Sequence, residues 1–160
     1  MSAVIGILIG VLVLVRVIGR QVTGSLVTQK SLFVMPAILL GVGVVSLASV
    51  AHTVTTGQLA FLALEAVVLI GLGFARGASV RLTPTDRGLF QKGTAATLVL
   101  WLLTIGLRIG TTFAAAAIWP HSTVGQAAIA LTIGLTIGAQ NAMVYRRALA
   151  MDVAPATQRA

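Results

Sequence analysis

The chain has 160 residues, 58% of them hydrophobic and 9% charged, with a formal net charge of +8. Soluble domains carry roughly 25% charged residues, so a mean hydropathy of +1.04 with repeated apolar runs of about 20 residues reads as an all-α integral membrane protein. There is no cysteine and only three carboxylates, Glu65, Asp86 and Asp152, which excludes thiol relays, thiolate metal sites and cysteine nucleophiles and leaves too few groups for most hydrolytic or metal-dependent chemistry. The basic residues gather beside hydrophobic ends, without interleaved aromatics. That pattern sets topology, and no nucleic-acid partner is expected.

Five transmembrane helices are predicted in one domain over residues 1–150. The first runs over Ala3–Val17 or slightly beyond, with Arg16 and Arg20 at its end, whose long side chains can snorkel to the headgroups. Its charges follow the apolar run instead of preceding it, so it is expected to stay as a span and not to be cleaved as a signal peptide. The second covers about Leu32–Val50, with Ser46, Ser49 and Thr53 near one face, and the third Gln58–Ala75. Between the third and fourth, residues 78–93 read as a short cytoplasmic β-hairpin. Its extended segments Ser79–Thr83 and Leu89–Lys92 flank a Pro84–Gly88 turn, and Val80, Leu82 and Phe90 fall on one face, suited to the interface or to covering the bundle mouth. The fourth span covers Ala95–Ile118 and the fifth Val124–Tyr145. The tail 151–160 is polar, contains Pro155 and is expected to be disordered.

Connections alternate in charge. Arg16, Arg20 and Lys30, then Arg76, Arg81, Arg87 and Lys92, then Arg146, Arg147 and Arg159 all fall on one side, whereas AHTVTTG and WPHST carry no Lys or Arg. The positive-inside rule therefore places the N-terminus out and the C-terminus in. Trp119 and Tyr145 stand at opposite ends, as interfacial anchors do.

Two charges interrupt the apolar runs. Glu65 lies in the third span and Arg108 in the fourth, where a charge costs roughly 2.5–3.5 kcal/mol on insertion scales. At about 1.5 Å rise per residue the antiparallel runs bring both within roughly 3 Å of the midplane, the matched depth an ion pair requires. Thr97, Trp101, Thr104, Arg108 and Thr111 recur at four- and three-residue spacings and share one face, opposite Leu98, Leu102, Ile105 and Ile109. On the fifth span Thr132, Thr136 and Gln140 share a face, beside Gly134 and Gly138 and followed by Asn141. The ordinary reading of such threonines is a bond to their own backbone, and of such glycines close helix packing. The candidate binding or transport residues are thus Glu65, Arg108, Thr104, Thr111, Gln140 and Asn141, with Gln140 or a threonine completing the pair's hydrogen bonds. The pair serves either as a structural pin or as part of a site. His52 and His121 are weaker candidates for a haem or metal, since each sits in a polar connection without ligand spacing. No cofactor is expected.

The segments RVIGRQ (16–21), QKSLFVMP (29–36) with a proline opening the second span, Glu65, DRGLFQKGT (86–94), LWLLTIGLR (100–108) and AMVYRRAL (142–149) together resemble the CcdC-like family of small bacterial membrane proteins. That resemblance implies a multi-pass protein of the bacterial plasma membrane, in a family associated by name with cytochrome c maturation. Without cysteine this chain cannot pass electrons through thiols. Two functions follow as expectations. One is a non-enzymatic accessory or assembly factor that meets a membrane-protein partner, or its own copy, through the cytoplasmic hairpin and basic loops. The other is a small oligomeric proton- or anion-coupled carrier or channel using Glu65 and Arg108.

Overall fold

The computed structural model describes residues 19, 23–26, 29–86 and 88–151. In chain order these form β1 (Ser25–Leu26), α1 (Gln29–Ser49), a 3-10 turn (Ala51–Thr53), α2 (Thr56–Ser79), β2 (Arg81–Thr85), β3 (Gly88–Lys92), α3 (Ala95–Ile118), α4 (Val124–Ala127) and α5 (Ile129–Ala150). Four stretches are long and apolar enough to cross a membrane: 32–49, 56–79, 95–118 and 124–150. They correspond to the second to fifth predicted spans. The first predicted span and the tail beyond Met151 lie outside the described residues, so the described residues carry four candidate spans where the sequence predicts five.

The helix α5 packs along both α1 and α2, whereas α3 packs on α2. Small residues set the approach on both flanks of α5. A Cβ added at Gly134 would collide with the backbone of Leu40 in α1, and one at Gly73 with the carbonyl of Thr136. Between helices in lipid, where burial of apolar surface supplies little drive, such close contact supplies much of the attraction. The sheath of Val45, Leu64, Val67, Val99, Leu102 and Phe113 is exposed, as suits side chains that face acyl chains.

Pro36 is not the opening residue of its helix but lies buried inside α1. Proline has no N–H, so the carbonyl four residues back loses its helical partner. That carbonyl belongs to Leu32, and the Asn141 side-chain amide of α5 donates to it at 2.8 Å. One turn's lost backbone bond is thereby replaced from a neighbouring helix, as a low-dielectric setting demands.

The hairpin forms with register Arg81↔Lys92 to Thr85↔Gly88. Gly88 takes φ 116 at the turn, a region in which a Cβ is strained. β1 adds a third strand against β3, a pairing too short to leave a sequence signal. Val80, Leu82 and Leu89 pack with Leu32, Val144 and Ala148, so the hairpin covers the bundle mouth and is anchored through these residues, with Phe90 only half-buried. The first strand begins two residues later than the sequence predicts because α2 continues through Ser79. Its end is held by Arg147 of α5, whose guanidinium donates to the carbonyls of Gly77, Ala78 and Val80 at 2.9, 2.9 and 2.6 Å. A cation on the orphan carbonyls of a helix C-terminus satisfies both their hydrogen bonds and the helix dipole.

Asn141→Leu is expected to destabilise the protein in detergent by about 1–3 kcal/mol, the cost of a buried carbonyl left unpaired. Adding Pro36→Ala restores the helical N–H and recovers most of that loss. Thermal unfolding of both variants checks this, and equal costs with and without Pro36→Ala would disprove the exchange.

Candidate functional site

The seam between α2 and α3 is polar at four heights. At the Trp119 end, Gln58 Nε2 donates to Ser122 Oγ at 2.9 Å, while Gln58 also closes a capping box with Thr55 at the start of α2. Next comes the Glu65 layer and then an Arg76 layer. At the hairpin end Ser79 Oγ and Thr97 Oγ1 lie 2.9 Å apart, and Thr94 caps α3 through a second box with Thr97. Only Thr97 and Thr104 of α3 are buried. This helix is therefore held by hydrogen bonds and charge more than by apolar packing.

In the Glu65 layer, Arg108 Nη1 donates to Glu65 Oε1 at 2.7 Å and Thr111 Oγ1 donates to the same oxygen at 2.6 Å. Arg108 Nη2 donates to the Gly125 carbonyl at 3.0 Å. The expected pair thus forms across two antiparallel helices, with Thr111 as the helping threonine. The contact is end-on, through a single guanidinium nitrogen. It is also not sealed. A cleft of about 210 Å³ opens over it, lined by Phe61, Leu62, Ala115, Trp119 and Val124 above a floor of Glu65, Arg108 and Thr111. Phe61 and Trp119 meet edge to face at 5.8 Å between ring centroids, framing the cleft at the Trp119 end. The Arg108 side chain is 21% exposed and that of Glu65 2%, so the cleft looks onto the cation.

The Arg76 layer was not foreseen. Reading the third span as ending at Ala75 put Arg76 in the cytoplasmic connection, whereas it lies inside α2 and is fully buried. Its Nη2 donates to Thr136 Oγ1 at 2.9 Å and its Nη1 to Thr104 Oγ1 at 3.4 Å, and its guanidinium carbon lies 4.0 Å from the Trp101 ring centroid. Among the described residues no carboxylate reaches it. Cation–π stacking and hydroxyl acceptors take that place, a geometry guanidinium suits and ammonium does not. A signal did exist: Glu65, Leu69, Gly73 and Arg76 continue one helical stripe.

The remaining candidates separate. Thr104 serves Arg76 and its own helix through Leu100 O, not Glu65. Gln140 does not join the pair; it is buried on α5, with Oε1 unpartnered, as are Arg76 Nε and Trp101 Nε1. Asn141 serves Leu32. Thr132 bonds Ala128 O and Ile129 O in its own helix, whereas Thr136 donates to Leu69 O of α2. Ser49 and Thr53 bond carbonyls three residues back. His52 and His121 are exposed in separate connections, and among the described residues no group of His, Asp and Glu has metal-ligand grouping.

Arg108→Gln is expected to cost on the order of 3 kcal/mol, because it strands the buried Glu65 carboxylate, and Glu65→Gln less, because the guanidinium it releases is partly open to the cleft. The double variant should cost less than the two together by at least about 1 kcal/mol. Denaturant titration in detergent measures the cycle, and strict additivity would rule out the energetic coupling.

Compared with known proteins, the chain matches no family model, no curated protein and no solved structure. Geometry therefore carries the functional reading.

Proposed function

We propose that the chain is a non-enzymatic multi-pass protein of a bacterial inner membrane, with five spans, N-terminus outside and C-terminus inside, whose working site is the Glu65–Arg108 cleft. The function assigned to that cleft is binding of a small solute from the outer side. One observation carries the reading: the ion pair lies at the floor of an open cleft of about 210 Å³ with a partly exposed guanidinium. A pin that only fixes helix register would be served best by a dry, fully enclosed pair. The polar seam continuing from the cleft through Arg76 to Thr97 and Ser79 supports carriage of that solute as the form the binding takes.

A second reading, an accessory factor docking through the hairpin, draws on a separate feature. Arg81, Lys92 and Arg146 are exposed together at the hairpin end, with Arg81 and Lys92 directly opposite each other in the sheet. In that role the chain, as a CcdC-like protein without cysteine, would hold or present a partner and not exchange thiols with it.

Because the natural chain has no cysteine, single cysteines report cleanly. An impermeant maleimide is expected to label His121→Cys on intact cells and Asp86→Cys only after permeabilisation. Thr112→Cys, in the cleft wall, should react with a small water-soluble reagent at a rate near that of His121→Cys, whereas Leu102→Cys on the lipid face should not. Labelling of Asp86→Cys on intact cells would reverse the orientation. A Thr112→Cys as inert as Leu102→Cys would return the pair to a pin.

A further inference from the structure

The shape and hydrogen-bonding state of the cleft specify more than that something binds there. A guanidinium has five N–H donors. Arg108 commits one to Glu65 Oε1 and one to Gly125 O, and its remaining donors find no acceptor among the described residues. Its Nε is not among the sealed, unpartnered atoms of the structure, and the side chain is 21% exposed where it lines the cleft, so the guanidinium offers free donors there. Glu65 is nearly buried and already accepts two hydrogen bonds. Both of those bonds fall on Oε1, which leaves Oε2 as an acceptor at the floor, but with Arg108 21% exposed against 2% for Glu65 the floor presents mainly donors. Above it the wall is mostly apolar, from Phe61, Leu62, Ala115, Ala116, Trp119 and Val124, with Gln58, Thr112, Ser122 and Gln126 as its polar members.

The charge balance points the same way. The described interior of the seam holds Arg108, Arg76 and one carboxylate, Glu65, and Arg76 has no carboxylate partner among the described residues. An uncompensated buried cation raises the positive potential of everything near it in a low-dielectric medium. The cleft volume of about 210 Å³ is far more than a single water needs and suits a charged head with a short hydrocarbon body. We infer that the cleft binds an amphipathic anion, its carboxylate or phosphate head on the free donors of Arg108 and its apolar body between Phe61, Leu62 and Trp119. This rests on the cleft being a binding site and adds the class of ligand. The same chemistry is offered by a free medium-chain carboxylate and by the head of an anionic lipid.

Trp119 in the wall is a built-in reporter, and Trp101→Phe leaves it as the sole indole while keeping a ring over Arg76. The full chain in phosphatidylcholine nanodiscs is titrated with octanoate, octanol and octylammonium. Octanoate should shift Trp119 emission saturably, with octanol at least about tenfold weaker, as loss of a charge-assisted hydrogen bond requires. Arg108→Gln should lose octanoate binding, Arg108→Lys should keep part of it, and Glu65→Gln should tighten it by releasing the guanidinium from its competitor. That opposite sign is what a purely structural pair would not produce. If Glu65→Gln weakens octanoate as much as Arg108→Gln does, the inference fails. Octylammonium binding in preference to octanoate overturns the anionic class but leaves the cleft a site, whereas no saturable response to any probe removes the site itself. Phosphatidylglycerol in the disc assigns the source: competition with octanoate identifies the lipid head, and its absence a free anion, the class standing in both cases.

Discussion

Every polar group placed in an apolar slab must find its partner inside the protein, because no water is there to supply one. Glu65, Arg108 and Thr111 meet much of that demand with two short hydrogen bonds to one carboxylate oxygen, and much else is arranged around the result. α3 contributes little apolar burial to the bundle, so without its polar contacts to α2 it would have as much reason to lie in lipid as against protein. The strength of the seam comes from what its groups would lose on separation. The same property makes it the place where an entering polar ligand can compete.

The other half of the bundle is built on a different basis. α5 approaches α1 and α2 closely through glycines, and side-chain hydrogen bonds settle the remaining backbone accounts. Asn141 replaces the N–H that Pro36 lacks, and Arg147 closes the C-terminus of α2. Thr136 joins α5 to α2 twice, donating to the Leu69 carbonyl and accepting from Arg76, whose other terminal nitrogen reaches Thr104 of α3. A rigid α1–α5–α2 unit therefore carries a polar-bonded α3, with the cleft where α3 and α4 meet α2.

Arg76 changes how the electrostatics of that cleft are understood. With Glu65 and Arg108 alone the interior would be neutral. A second guanidinium, buried against Trp101 with threonine hydroxyls as acceptors, leaves an excess of positive charge along the seam. Stacking and neutral acceptors stabilise a guanidinium without cancelling its charge, so the field persists into the cleft and favours an anion there.

Much of the architecture was legible in one dimension. The span bounds Ala95–Ile118, the threonine–arginine face of α3, the depth match of Glu65 with Arg108 and the existence of a hairpin all follow from helical period, rise per residue and turn chemistry, which are local properties. What the chain alone left open depends on neighbours brought in from far along it. Arg76 looked like the end of a span because charge usually marks the interface; only Trp101, Thr104 and Thr136, supplied by two other helices, make its burial tolerable. Asn141 looked like a lining residue until Leu32, 109 residues away, proved to need its amide. Sequence determined that a carboxylate and a guanidinium would lie at one depth in a membrane bundle. Tertiary structure decided that they meet end-on beneath an open, mostly apolar-walled cleft, because the room left around a pair is set by how whole helices pack.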